Sequence, residues 1–85
     1  MAQIEVFTQA WCPYCSRVVE LLQKKGVAFK ETEAPHGSAE RQGAMNKAGR
    51  STMPLVFIDG NFVGGCDDVV ALDRAGKLDP MLQAA

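Results

Sequence analysis

Two thiols separated by two residues, Cys12-Pro13-Tyr14-Cys15, are the side chains of this sequence best suited to covalent chemistry. A C-x-x-C pair beside a strand–helix–strand pattern reads as a redox motif, because the spacing brings two sulfurs together across one helical turn. The pair follows a short apolar segment and opens an amphipathic one. A helix starting there turns its unpaired N–H groups and positive dipole end toward the first cysteine and favours the thiolate, the form that attacks a disulfide. Cys15, Val18, Val19 and Leu22 fall at i, i+3, i+4 and i+7, a single apolar stripe that places the second sulfur on the core side. The expectation is an exposed attacking sulfur at Cys12 and a shielded partner at Cys15, suited together to thiol–disulfide exchange.

Two other segments carry groups that could hold a ligand. Thr52-Met53-Pro54 precedes an apolar run. On general grounds its X-Pro bond is trans, since cis occurs in only about one in twenty such bonds of folded proteins. Gly64-Gly65-Cys66-Asp67-Asp68 combines a glycine turn with a helix start capped at Asp67 or Cys66, and helix-start N–H groups at Cys66 and Asp67 make an anion site. Trp11, next to Cys12, is expected to cap an apolar rim, and Cys66 reads as a small half-buried residue. His36, the single histidine, falls in a loop and reads as a solvated residue rather than a zinc ligand beside the cysteines. No metal is expected.

The elements that must position these groups alternate in type. Ile4, Val6 and Phe7 predict a strand ending near Thr8, and Pro13 opens a helix that runs to Lys25, with Gly26 beyond it. Val27 to Thr32 predicts a second strand, parallel to the first because one helix joins them. Ser38 caps a helix that buries Ala44, Met45 and Ala48 and ends near Gly49. Leu55 to Ile58, Asp59-Gly60 and Asn61 to Val63 form an antiparallel hairpin signal. A helix then runs to about Ala75, and Asp79-Pro80 starts a short terminal one. The 85 residues make one domain, 1–85. Nine Lys plus Arg against ten Asp plus Glu leave a formal charge of −1, which lacks the basic surplus that nucleic acid or an anionic membrane would require. Residues 1–6 carry no basic, apolar leader pattern, and three cysteines are too few and odd in number for a secreted disulfide framework, so the expected compartment is the cytoplasm.

In this order and spacing, Cys12-Pro13-Tyr14-Cys15, Thr52-Met53-Pro54 and Gly64-Gly65-Cys66-Asp67-Asp68 resemble the three signature blocks of the dithiol glutaredoxins, most of all the short bacterial members of the third type. The resemblance spans nearly the whole chain. It implies an α/β, thioredoxin-like fold, with a four-stranded mixed sheet in the order β-α-β-α-β-β-α flanked by helices. It also implies glutathione as the reductant, with Cys12 and Cys15 catalytic. Under the resemblance the Met53-Pro54 bond becomes cis, freeing the backbone of Met53 to pair with an extended thiol substrate. Tyr14, Thr52, Met53, Pro54, Gly65, Cys66, Asp67 and Asp68 would then hold glutathione, the helix-start N–H groups taking the γ-glutamyl carboxylate and Asp67 or Asp68 its ammonium. Arg41 is the expected partner of the glycine carboxylate.

Two positions depart from the family's pattern. Gln9 stands where the family usually has a lysine, which would steady both the Cys12 thiolate and that carboxylate, and Leu55 stands where it often has glutamine, which is expected to enlarge an exposed apolar patch. The implied activity is reduction of protein–glutathione mixed disulfides through Cys12 and of protein disulfides through Cys12 and Cys15, by a monomer whose clients include ribonucleotide reductase. The alternatives are an electron donor served by a thioredoxin reductase and a carrier of a glutathione-ligated iron–sulfur cluster.

Overall fold

Ile4, Val6 and Thr8 are buried on one side of the first strand while Glu5 and Phe7 lie half-buried on the other, and this alternation seeds two cores. In the computed structural model, which describes residues 2–83, the elements are β1 (Ile4–Thr8), α1 (Pro13–Lys24), β2 (Lys30–Glu33), α2 (Ala39–Ala48), β3 (Leu55–Ile58), β4 (Asn61–Gly64), α3 (Cys66–Arg74) and α4 (Leu78–Gln83). The four strands form one mixed sheet in the order β2-β1-β3-β4, with β1 and β2 parallel and the other pairs antiparallel. Ile4, Val6, Val56 and Ile58 pack with Val18, Leu22, Cys66, Val69, Leu78 and Leu82 under α1, α3 and α4. On the opposite face Leu55 and Phe57 meet Ala44 of α2, with Phe7 and Phe62 stacked against Phe57. The expected α/β architecture is the one observed.

Several boundaries differ from the sequence reading, each for a physical reason. The second strand is not Val27 to Thr32 but Lys30–Glu33, paired from Glu5↔Lys30 to Thr8↔Glu33. Val27 and Phe29 supply the apolar signal, yet they pack on the edge of the larger core just before the ladder begins. Helix α3 is capped by Gly65, not by Cys66 or Asp67. Asp68 reaches back from the third helical position to accept the Gly65 N–H at 3.1 Å, the acidic half of a capping box on a residue with no side chain of its own. Gly64 precedes it at φ 145°, and a Cβ there would overlap the Asp68 side chain, so this turn requires glycine. Helix α4 starts at Leu78, one residue before Asp79-Pro80. Helix α2 does begin after Ser38, whose hydroxyl accepts the Arg41 N–H, and ends at Gly49 in the left-handed region. Lys25, at the C-terminal end of α1, forms ion pairs with both Asp73 and Asp79 and ties α1, α3 and α4 together at the end away from Cys12.

Candidate active site

Cys12 is the N-cap of α1: its backbone is extended, and its Sγ accepts the Cys15 N–H at 3.1 Å. A thiolate here meets both a backbone donor and the positive end of the helix dipole. Pro13 occupies the first helical position, where an N–H would have had no intrahelical acceptor, so its ring shapes the turn without loss of a bond. Cys12 is partly exposed, whereas Cys15 keeps only 3% of its surface, and both are free thiols. Burial, reinforced by the hydrogen bond to Cys12, pushes the Cys15 thiol up from 9.0 to about 12. The two sulfurs are therefore unequal in the expected sense: one is presented at the helix mouth, the other protonated and covered.

A groove of about 420 Å3 opens on one side of this mouth, lined by Tyr14, Thr52, Met53, Pro54, Gly65, Cys66, Asp67 and Asp68. These are eight of the residues singled out in the sequence. The Met53-Pro54 bond is cis, as the resemblance and not the general base rate implied. The first intrahelical bond of α3 runs from Val69 N–H to Gly65 O, which leaves the N–H groups of Cys66, Asp67 and Asp68 without a helical acceptor. The two aspartates then divide their work. The Asp68 carboxylate accepts from Arg50 at 2.7 Å and from Gly65, and those contacts, Arg50 first, hold its carboxyl below the usual 3.8. Asp67 is exposed and has no hydrogen-bond or ion-pair partner among the described residues.

On the other side, a cleft of about 630 Å3 is lined by Gln9, Trp11, Cys12, Pro13, Ser16, Val19, Glu20 and Glu31 among others. Gln9 and Arg41 come together directly. The Arg41 guanidinium, 7% exposed, donates from Nη1 to Gln9 Oε1 at 2.7 Å and to Ala34 O at 3.0 Å.

The sequence pattern of the Glutaredoxin family matches residues 4–63. A glutaredoxin of Pseudomonas aeruginosa is 48% identical over 84 residues, 99% of this chain and 100% of that one, and glutaredoxin 3 of Escherichia coli (strain K12) is 46% identical over 83 residues, 98% and 100%. The chain belongs to the glutaredoxin family. The solved structure of a buckwheat glutaredoxin–glutathione complex is similar at a TM-score of 0.85 and 38% identity, over 95% of this chain and 76% of that one. As a glutaredoxin, the protein is a glutathione-dependent thiol–disulfide oxidoreductase, and its C-x-x-C spacing is that of the dithiol class.

Three features of this glutaredoxin differ from the sequence reading, and one was missed. Leu55 does not enlarge an exposed apolar patch; it is fully buried, because the first residue of β3 faces the α2 core. Trp11 does not cap an apolar rim: it is 99% exposed, with its backbone at φ 60°. Cys66 is not half-buried: it keeps 5% of its surface, because the first turn of α3 faces the larger core. The missed residue is Arg50, which lines the smaller groove, pairs with Asp68 and lies over the Phe62 ring at 5.3 Å. Its only sequence signal is its place between the helix-ending Gly49 and the Thr52-Met53-Pro54 block. Among the described residues no group of three or more His, Cys, Asp or Glu side chains is placed to hold a metal ion, and no helix is long and apolar enough to cross a membrane.

Proposed function

We propose that Cys12 removes glutathione from protein mixed disulfides and that the groove between Tyr14 and Asp67 holds the glutathione moiety throughout. The Cys12 thiolate attacks the glutathione sulfur; the glutathione–protein S–S bond breaks, the client leaves as a thiolate and takes a proton, and Cys12 is left disulfide-bonded to glutathione. A second glutathione thiolate attacks the bound glutathione sulfur, which releases glutathione disulfide and restores Cys12. Toward a protein disulfide, Cys12 forms the intermolecular bond and Cys15 displaces the client, closing Cys12–Cys15 for reduction by two glutathiones.

The γ-glutamyl carboxylate meets the free N–H groups of Cys66 and Asp67, and the Asp67 carboxylate takes the ammonium. Met53 offers its backbone to the central peptide, flanked by Thr52 and Pro54 and covered by the Tyr14 ring. Gly65 keeps this approach open, because a Cβ there would stand 3.2 Å from Pro54 O. Gln9, held by Arg41, lies on the far side of Cys12, where the glycine carboxylate arrives. The clients are cytoplasmic glutathionylated or disulfide-bonded proteins, ribonucleotide reductase among them, and the enzyme acts as a monomer.

The observation that carries this reading is the asymmetry of the two sulfurs, one capping a helix at the mouth of a groove and the other buried beside it. Cys12→Ser should abolish both activities. Cys15→Ser should keep reduction of a small glutathione mixed disulfide and lose most protein-disulfide reduction, and equal loss of both reactions in this variant would overturn the monothiol route.

A further inference from the structure

Trp11 combines two liabilities that the fold does not need. Its ring is 99% exposed, so it contributes no burial, and its φ of 60° is a region that bulky residues avoid. Both fall one residue before the attacking sulfur. Backbone outliers that persist beside a reacting group point to function, and an exposed tryptophan is the side chain most often found anchoring an interface. The smaller groove, on the side of Tyr14 and Asp67, does not contain Trp11. The ring instead borders the 630 Å3 cleft with Cys12, Ser16, Val19, Glu20 and Glu31.

That cleft has a definite charge. Among the described residues, Glu20 and Glu31 are its only charged lining residues, both exposed, and Glu31 is oriented by the Thr8 hydroxyl at 3.0 Å. Arg41, on α2, is committed to Gln9 and Ala34. An aromatic face beside two carboxylates is complementary to a lysine or arginine side chain, which stacks on the ring and pairs with the acids. We propose that the part of this cleft bordered by Trp11, Glu20 and Glu31, apart from Gln9, docks the protein half of the substrate, as a segment with a basic residue near its reacting cysteine, and that Trp11 is the anchor. The proposal rests on the deglutathionylase reading and adds to it a preference among clients.

Three substrates test it: the mixed disulfide of free cysteine with glutathione, and two glutathionylated peptides of equal length whose cysteine is flanked by lysines or by glutamates. At low salt the enzyme should favour the basic peptide over the acidic one by about tenfold in kcat/KM, the preference shrinking at high salt. Trp11→Ala should lower kcat/KM for the basic peptide about tenfold and leave the cysteine–glutathione substrate within about twofold, while Trp11→Phe recovers part of the loss. Glu20→Gln combined with Glu31→Gln should bring the two peptides to near equality. No basic preference in the parent, or a Trp11→Ala loss of equal size on all three substrates, overturns the proposal. Failure of the parent to reduce cysteine–glutathione would instead overturn the deglutathionylase reading.

Discussion

Alkaline titration of the fully reduced protein should expose the buried thiol as a stability term of known sign. In the unfolded chain the Cys15 thiol ionises near its ordinary 9.0, whereas in the folded chain burial and the Cys12 hydrogen bond hold the proton to about 12. Between those values the native state binds more protons than the unfolded one, so stability falls as pH rises. Relative to neutral pH the loss at about pH 10 amounts to at most about 1.4 kcal/mol, because one unit of the gap between the two ionisations has then been traversed. Cys15→Ala removes the effect and leaves the titrating groups outside the Cys12–Cys15 pair in both proteins, so that they cancel in the comparison. The measurement is the urea midpoint of both proteins from about pH 7 to about pH 10 under a strong non-thiol reductant. The alanine variant starts less stable from lost packing, and the two curves should converge as the parent declines. Parallel curves would refute the argument, since Cys15 would then ionise alike in the folded and unfolded states.

Other consequences can be measured alongside. Asp67→Asn should raise KM for glutathione with little change in stability, because Gly65 and Asp68, not Asp67, cap α3; unchanged glutathione kinetics would remove Asp67 from the site. The depressed carboxyl of Asp68 contributes stability that is complete above about 3.8, its unfolded value, and lost as pH falls through the lower folded value, so melting between pH 5 and neutrality should not differ between the parent and Asp68→Asn beyond a constant offset. Gln9→Lys replaces the acceptor of a buried guanidinium with a second cation and should cost about 1–3 kcal/mol in chemical denaturation, whereas Gln9→Glu should not destabilise. A Gln9→Lys variant of parental stability would show that the Gln9–Arg41 bond contributes little.

The sequence revealed most where one local rule decided the outcome. The i, i+3, i+4, i+7 stripe placed Cys15 and Leu22 inward, with Val19 only half-buried at its margin, and Asp59-Gly60 closed the β3–β4 hairpin with both residues at positive φ. It was least informative where a distant partner decided. The β2 ladder is defined by pairing with β1 and carries mostly exposed residues, so apolar Val27 and Phe29 drew the boundary too early. The partners of Arg41, Gln9 and the Ala34 carbonyl, lie outside α2, and the partner of Arg50 is Asp68 at 2.7 Å across the turn into α3, so no local pattern announced either contact. The residues that line the smaller groove were legible in advance because motif blocks carry them, while the left-handed backbone of the exposed Trp11 had no local signal.

The sulfur of Cys12 serves α1 as well as the substrate, since it is the acceptor that closes the first helical turn onto the Cys15 N–H. When the attacking thiolate enters a disulfide, the sulfur becomes a neutral, weaker acceptor, and the helix loses part of its cap. Chemical turnover is thereby written into backbone order at a single amide. Exchange of the Cys15 N–H with solvent should quicken in the glutathionylated state and slow again on reduction, making the first turn of α1 a clock hand for the catalytic cycle.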